Sequence, residues 1–281
     1  MTPELLQISS RNSAFQVLRS LATNRQKRHA TRAFLLEGVR PINSARAHGW
    51  RFEAVIVPGG AAPSRWASDV INQASAPVRY EMAPDLMREL SGKTQPSELL
   101  AVVAMPDDDL GRIRLSTDLL VAVIDRPSNP GNLGTLIRSC DAFGVHGVVV
   151  TGHAVDLYDP ATITASRGSL FAVPVVRMAS HADVSAWVTG VRAAVGTCHV
   201  VGADEKASVR VFDHDFRAPT VMVFGNETAG LSRAYRDLCD TWVQVPIEGS
   251  ATSLNVAVAA SVVFYEVSRQ RRAAPAGACE G

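Results

Sequence analysis

Long apolar runs are missing from this 281-residue sequence. No stretch approaches the roughly 18 uninterrupted apolar residues that cross a bilayer. The start, Met1-Thr2-Pro3-Glu4, lacks the basic-then-apolar order of a secretory signal, so a cytoplasmic protein is expected. Cysteine is sparse: Cys140, Cys198, Cys239 and Cys279 are widely spaced, form no C-x-x-C pair and fall within or beside apolar segments. Neither a disulfide framework nor a zinc site is indicated, and inert core thiols are expected, apart from Cys279 in an Ala/Gly/Pro tail read as mobile after Arg272. A large excess of one charge is also absent. With a formal net charge of +1, any affinity for nucleic acid must come from uneven placement of charge. The dinucleotide fingerprint G-x-G-x-x-G after a strand does not occur either. Gly131-x-x-Gly134 has the wrong spacing and Val150-Thr151-Gly152 lacks the further glycines, which disfavours a Rossmann site.

What is present is 47% hydrophobic residues, enough to bury a core in one large domain or two ordinary ones. A break falls at about Met105 to Thr117, where Pro106, three aspartates and Gly111 separate the runs Leu99–Met105 and Leu119–Ile124. Two domains are expected, residues 1–108 and 118–272. The first reads as a small α/β module. A helical stretch, Phe34–Leu36, leads into an amphipathic helix Arg40–His48, followed by strand Ala54–Val57, helix Trp66–Gln73 and strand Leu99–Met105. The second alternates helical stretches with strands at Leu119–Ile124, Val148–Thr151, Val173–Arg177, His199–Gly202, Val221–Phe224 and Trp242–Val245. Their unbroken Val and Ile content predicts strands buried on both faces, hence a mostly parallel sheet covered by helices. A last helix is predicted from about Leu254 to Arg272, with Leu254, Val258, Val262 and Tyr265 at helical spacing.

Three segments interrupt strand ends with glycine and polar residues, where α/β folds hold ligands. In Asn129-Pro130-Gly131-Asn132-Leu133-Gly134-Thr135-Leu136-Ile137-Arg138 the turn starts a helix that is expected to bring Arg138 and Asn132 to one site. An ordinary turn with a solvated arginine accounts for it equally well. In Phe224-Gly225-Asn226-Glu227-Thr228-Ala229-Gly230-Leu231-Ser232, Gly225 and Gly230 allow close backbone approach to a ligand, and Glu227 has no adjacent cation to explain it. In Val245-Pro246-Ile247-Glu248-Gly249-Ser250-Ala251-Thr252-Ser253-Leu254-Asn255, Ser253 and Asn255 stand at the start of the last helix, where free N–H groups hold polar ligands. A plain helix cap explains one of those residues but not the whole loop.

In this order the three segments closely resemble the motifs of the SpoU (TrmH) family of RNA ribose methyltransferases, within the SPOUT superfamily, over most of residues 119–272. Asn24-Arg25-Gln26-Lys27-Arg28 followed by Phe34-Leu35-Leu36-Glu37-Gly38-Val39-Arg40 is similar to the ribosomal-protein-like substrate domain of many ribosomal RNA members. A narrower likeness, through Asp125-Arg126-Pro127, Tyr158-Asp159-Pro160 and Ser166-Arg167-Gly168-Ser169-Leu170-Phe171, points to members acting on large-subunit ribosomal RNA, with antibiotic resistance as a consequence. The resemblance implies an α/β sheet closed by a deep trefoil knot, with Gly225, Val245 and Leu254 contacting S-adenosyl-L-methionine. It implies a homodimer in which paired knots complete each site and the last helix lies at the interface. Arg138 is the residue the family assigns to activating the ribose hydroxyl, supported by Asn132, Glu227, Ser253 and Asn255.

Methyl transfer to a ribose is an in-line displacement, so the protein orients both partners and manages the departing proton. No histidine falls in the three motifs, and an arginine is a poor base. Electrostatic stabilisation of the developing alkoxide is therefore the expected role of Arg138. The N-terminal segment is the one clearly positive region, and Arg25, Lys27 and Arg28 are its expected RNA contacts. Compositional bias is the plainer account, since arginine is abundant throughout and lysine scarce. The partners implied are ribosomal RNA and a second copy of the chain, with no metal, membrane or DNA. Transfer RNA is the alternative substrate, and a non-catalytic RNA-binding or ribosome-assembly protein is the alternative of another class.

Overall fold

The computed structural model describes residues 3–273; Met1, Thr2 and the tail from Ala274 onward, Cys279 included, lie outside the described residues. The chain forms two compact units, one of residues up to Asp107 together with Tyr158–Ala172, the other of Asp108–Leu157 and the chain from Val173 on. The sequence had grouped residues 158–172 with the second domain.

In the first unit the elements run β1 (Glu4–Ile8), α1 (Ser13–Thr23), α2 (Arg25–Thr31), β2 (Ala33–Glu37), α3 (Val39–Ala47), β3 (Phe52–Pro58), α4 (Arg65–Gln73), β4 (Val78–Met82), α5 (Pro84–Ser91) and β5 (Leu100–Ala104). The five strands make a mixed sheet in the order β1-β4-β3-β5-β2. Phe34–Leu36 lies in β2, paired antiparallel with β5, and not in a helix as the sequence predicts. A short apolar run has no periodicity that separates the two states, and the pairing with Ala101–Val103 decides it. Strands β1 and β4 were missed because their residues are mostly exposed or half-buried and carry no apolar alternation.

The second unit contains β6 (Leu120–Asp125), α6 (Pro130–Ala142) and β7 (Gly147–Thr151). The chain then supplies α7 (Pro160–Ser166) and α8 (Ser169–Ala172) to the first unit. It returns as β8 (Val175–Met178), α9 (His181–Val195), β9 (His199–Ala203), β10 (Val209–Arg210), β11 (Thr220–Phe224), α10 (Arg233–Leu238), β12 (Thr241–Gln244) and α11 (Val256–Ala273). Seven strands in the order β10-β12-β9-β11-β6-β7-β8 form a sheet in which every pairing is parallel. Each residue of β6, β7 and β11 is buried, the signature of strands covered on both faces. Val121, Val123, Val149, Val200, Val221 and Val223 share one core cluster. Each such side chain stabilises the unit by roughly 1.5–3 kcal/mol on burial.

Why residues 158–172 join the first unit is a matter of aromatic packing. Tyr158, 1% exposed, stacks on Phe34 with ring centroids 4.7 Å apart. Phe171 meets Trp50 edge-on at 5.0 Å, and the Trp50 indole N–H donates to the Phe171 carbonyl at 3.0 Å. No composition shift marks this excursion.

Candidate active site

Helix α6 begins at Pro130, whose missing N–H costs nothing at a first helical position, and the Asn129 carboxamide oxygen accepts from the Asn132 N–H at 3.0 Å. That cap fixes Asn132 at the carboxyl end of β6. The loop after β11 is fixed differently. Asn226 and Gly230 exchange backbone hydrogen bonds of 3.1 and 2.9 Å, and Asn226 Oδ1 accepts from the N–H groups of Thr228 and Ala229. A Cβ on Gly225 would stand 2.4 Å from the Gly230 carbonyl carbon and 2.5 Å from the Leu231 nitrogen. The glycine is required by the closure of its own loop, whereas the sequence attributed it to approach by a ligand.

From β6, Arg126 makes two 3.0 Å bonds to the buried carboxylate of Asp125 and donates to the Gly230 carbonyl at 3.2 Å. Asp125 also accepts from the Ser232 N–H at 2.9 Å, and Asn226 Nδ2 donates to the Arg126 carbonyl at 2.7 Å, so both ends of the loop are tied to the end of β6.

These loops place three of the predicted polar residues, Asn132, Glu227 and Asn255, in one network. Glu227 Oε2 accepts from the Ser128 N–H at 3.1 Å and the Ser128 hydroxyl at 2.7 Å, while Oε1 accepts from Asn132 Nδ2 at 3.1 Å. Asn132 Oδ1 in turn accepts from Asn255 Nδ2 at 3.0 Å, and Asn255 Oδ1 caps α11 through the Ala257 N–H at 2.9 Å. Partial burial opposes the charge on Glu227, but the bonds from Ser128 and Asn132 outweigh it and hold the carboxyl below its ordinary range. No cation is needed to explain this residue. Ser128 was missed because a lone serine before a proline turn carries no signal of its own.

The network forms one side of a cavity of about 440 Å³, within the range of small-molecule sites. Gly225, Val245, Ser253 and Leu254 line it together with Asn132, Glu227 and Asn255. Phe224, Leu231, Val243, Ile247 and Val263 give it an apolar wall, and Asp204 and Glu205 stand at the end of β9. The last two were also missed, since nothing in the sequence joins the β9 end to the three motifs.

Arg138 does not line the cavity. Six residues along an α-helix turn the side chain roughly 120° away from Asn132. It lies exposed on α6, on a different face from Ser139 and Phe143, which meet α11 at Ser261 and Tyr265. In the first unit, Arg25 and Lys27 are exposed on α2, but Arg28 is 2% exposed. Its guanidinium donates to the carbonyls of Leu21 and Ala22 at 3.1 and 3.2 Å and sits 3.8 Å from Asp159. Arg28 thus satisfies the end of α1 and is not an outward-facing RNA contact, a correction to the expected basic triplet. Among the described residues no group of His, Cys, Asp and Glu is arranged to hold a metal, and no helix is long and apolar enough to cross a membrane. Burial pushes the thiols of Cys140 and Cys198 up and that of Cys239 up to about 12, away from reactivity.

Comparison with known proteins also divides the chain in two, with residues 158–172 falling inside the C-terminal match. A family model described as the SpoU rRNA Methylase family matches residues 119–265, and one described as the SpoU L30e-like domain matches residues 12–101. The 23S rRNA (uridine(2479)-2'-O)-methyltransferase of Streptomyces viridochromogenes is 48% identical over 274 residues, 96% of this chain and 94% of that one. The crystal structure of the SpoU methyltransferase AviRb from Streptomyces viridochromogenes in complex with the cofactor AdoMet is similar, with a TM-score of 0.89 and 47% identity across 94% of this chain and 100% of that one. The AdoMet-bound rRNA methyltransferase from Sinorhizobium meliloti follows the same fold, with a TM-score of 0.83 and 25% identity across 94% and 98% of the two chains. With the two family models covering residues 119–265 and 12–101, and a methyltransferase relative 48% identical over 96% of the chain, the chain belongs to the SpoU rRNA methylase family.

Proposed function

We propose that this chain transfers a methyl group from S-adenosyl-L-methionine to a ribose 2′-hydroxyl of large-subunit ribosomal RNA, in the cytoplasm. The observation that carries the proposal is the chain of hydrogen bonds Ser128–Glu227–Asn132–Asn255, the last three of which line a cavity that also has an apolar wall. The cavity fits a nucleoside cofactor. Val243, Val245 and Leu254 offer apolar surface to a base, and loop backbone beside Gly225 offers donors and acceptors without side-chain bulk. We take this loop-built pocket to be the family's knot. When bound, the cofactor supplies the electrophilic methyl.

The chain's own residues supply order and charge. Glu227 fixes the Asn132 carboxamide through its Nδ2, which leaves Asn132 Oδ1 committed to Asn255 and holds the helix starts of α6 and α11 in one arrangement. Such preorganisation is what in-line transfer requires. Arg138 is assigned to stabilising the alkoxide. Because it faces away from its own cavity, we place it in the site of a second copy. The exposed stripe Val258, Val262 and Tyr265 on α11, 49%, 37% and 59% exposed, supports a homodimer through that helix. Arg25 and Lys27 are assigned to RNA phosphates.

The test is a tritium-transfer assay with ribosomal and transfer RNA side by side, followed by mapping of the modified ribose. Methylation of ribosomal RNA alone is expected. Methylation of transfer RNA alone would replace the substrate, and cofactor binding without transfer to either would favour a non-catalytic assembly role.

A further inference from the structure

Backbone conformation singles out an arginine that takes no part in the cavity. Among the described residues four that are not glycine have positive φ, and three of them are arginines: Arg32 at 52°, Arg126 at 53° and Arg167 at 54°. This region is unfavourable for any side chain with a Cβ, so each needs a reason. Two of the three have side chains engaged within the fold. Arg32 pairs with Asp107 at 2.7 Å and donates to the Pro106 carbonyl at 3.0 Å, and Arg126 holds Asp125 and Gly230 as described.

Arg167 closes α7 as its left-handed cap, its N–H donating to the Thr164 carbonyl at 3.3 Å, but its side chain is exposed and makes no hydrogen bond or ion pair among the described residues. The turn that presents it is firmly built. Ser166 and Gly168–Phe171 are buried on either side, and the Ser166 hydroxyl donates to the Ile163 carbonyl at 2.8 Å. Gly168, at φ 98°, is pressed against α3: a Cβ there would lie 3.1 Å from the Ser44 Cβ and 3.9 Å from the Arg40 carbonyl oxygen, and the Ser44 hydroxyl donates to the Gly168 carbonyl at 2.7 Å. That contact packs the turn that carries Arg167 against the backbone of α3 at Arg40, a second exposed arginine whose side chain has no partner among the described residues.

We propose that Arg167 and Arg40 form a paired phosphate-binding site for the RNA backbone. The inference rests on the RNA-substrate reading and extends it to a site made by two segments more than a hundred residues apart in the chain. Two unpaired arginines carried on a buried turn and on the helix packed against it offer forked contacts to phosphate oxygens with less ordering cost than a flexible basic tail. Closing a helix asks only for a left-handed residue, which glycine or asparagine supplies at less cost, so an arginine at this cap is retained for its side chain.

Replacing Arg167 by glycine separates this role from a structural one, because glycine relieves the positive φ while removing the charge. Binding of in-vitro-transcribed 23S ribosomal RNA is measured by filter retention across a salt series, with cofactor affinity by calorimetry and thermal midpoint alongside. Arg167→Gly is expected to weaken RNA binding and flatten the log–log salt slope by roughly 0.7–0.9, Arg40→Ala to do the same, and the double variant to lose about twice as much. Arg167→Lys keeps the charge and should keep most of the slope. Cofactor affinity should stay unchanged and the glycine variant's midpoint should not fall. An unaltered slope in both single variants, with wild-type protein binding normally, overturns the site alone. Failure of the wild-type protein to bind ribosomal RNA overturns the RNA reading with it, and a lowered midpoint in Arg167→Gly with normal RNA binding assigns the residue to folding.

Discussion

Glu227 stays charged without a cation, and that makes its contribution to stability depend on pH in a definite direction. Its folded carboxyl titrates below the ordinary value of 4.5, because the bonds from Ser128 and Asn132 outweigh partial burial. A depressed folded pKa gives stability that is fully present above the unfolded value and is lost as pH falls through the folded one. The thermal midpoint of Glu227→Gln should therefore lie below that of the wild type at neutral pH, with the gap narrowing below about pH 4.5. A gap that widens in acid would remove the charged network. Arg28 makes a second residue-scale case. Truncation to alanine strips the carbonyls of Leu21 and Ala22 of a buried donor, so a loss on the order of 1–3 kcal/mol in denaturant unfolding is expected, with RNA affinity per folded molecule unchanged. For Arg138→Ala the expectation is inverted: a fall in turnover on the order of 10²-fold or more, intact cofactor affinity and incomplete rescue by lysine. Near-normal single-turnover rates would take Arg138 out of the chemistry.

At the scale of elements, α11 shows how periodicity can be right about a helix and silent about its environment. Val258, Val262 and Tyr265 do recur at helical spacing, yet they are the exposed stripe, and the buried face is Ala257, Ala260, Val263, Phe264 and Val267. The unit buries that second stripe, with Glu266 among it, and leaves the first in solvent. If the exposed stripe is a symmetric contact, Val262→Asp combined with Tyr265→Asp should convert a dimer to monomers in sedimentation velocity while the isolated chain keeps its helical signal. Persistence of the dimer would move the interface elsewhere. The loop after β11 makes a different demand. A methyl group at Gly225 meets backbone and not a yielding side chain, so Gly225→Ala should open the loop and abolish cofactor binding in calorimetry. Unchanged affinity would mean that the loop tolerates the shift and that the pocket lies elsewhere.

For the whole molecule, the proposal divides labour between the two units: phosphate contacts in the first and methyl transfer in the second. Arg25→Ala with Lys27→Ala should weaken RNA binding, reduce the salt slope by roughly 0.7–0.9 per lost contact and leave cofactor affinity intact. Normal methylation of ribosomal RNA by that variant would defeat the division. What the sequence determined by itself is the parallel sheet, through runs of buried Val and Ile that suit no other element, and the three loops, because glycine, proline and capping asparagine act over a few residues. Tertiary structure alone decided which of the marked residues meet. Asn132, Glu227 and Asn255 are joined across 95 and 123 residues of chain by side-chain hydrogen bonds, and no local pattern records such a distance. It also turned Arg138 away from its cavity, buried Arg28 and took residues 158–172 into the first unit. In each case the physical reason is the same: helical phase, burial and aromatic stacking are set by neighbours remote in sequence, whereas turn and strand chemistry is set by neighbours next in line.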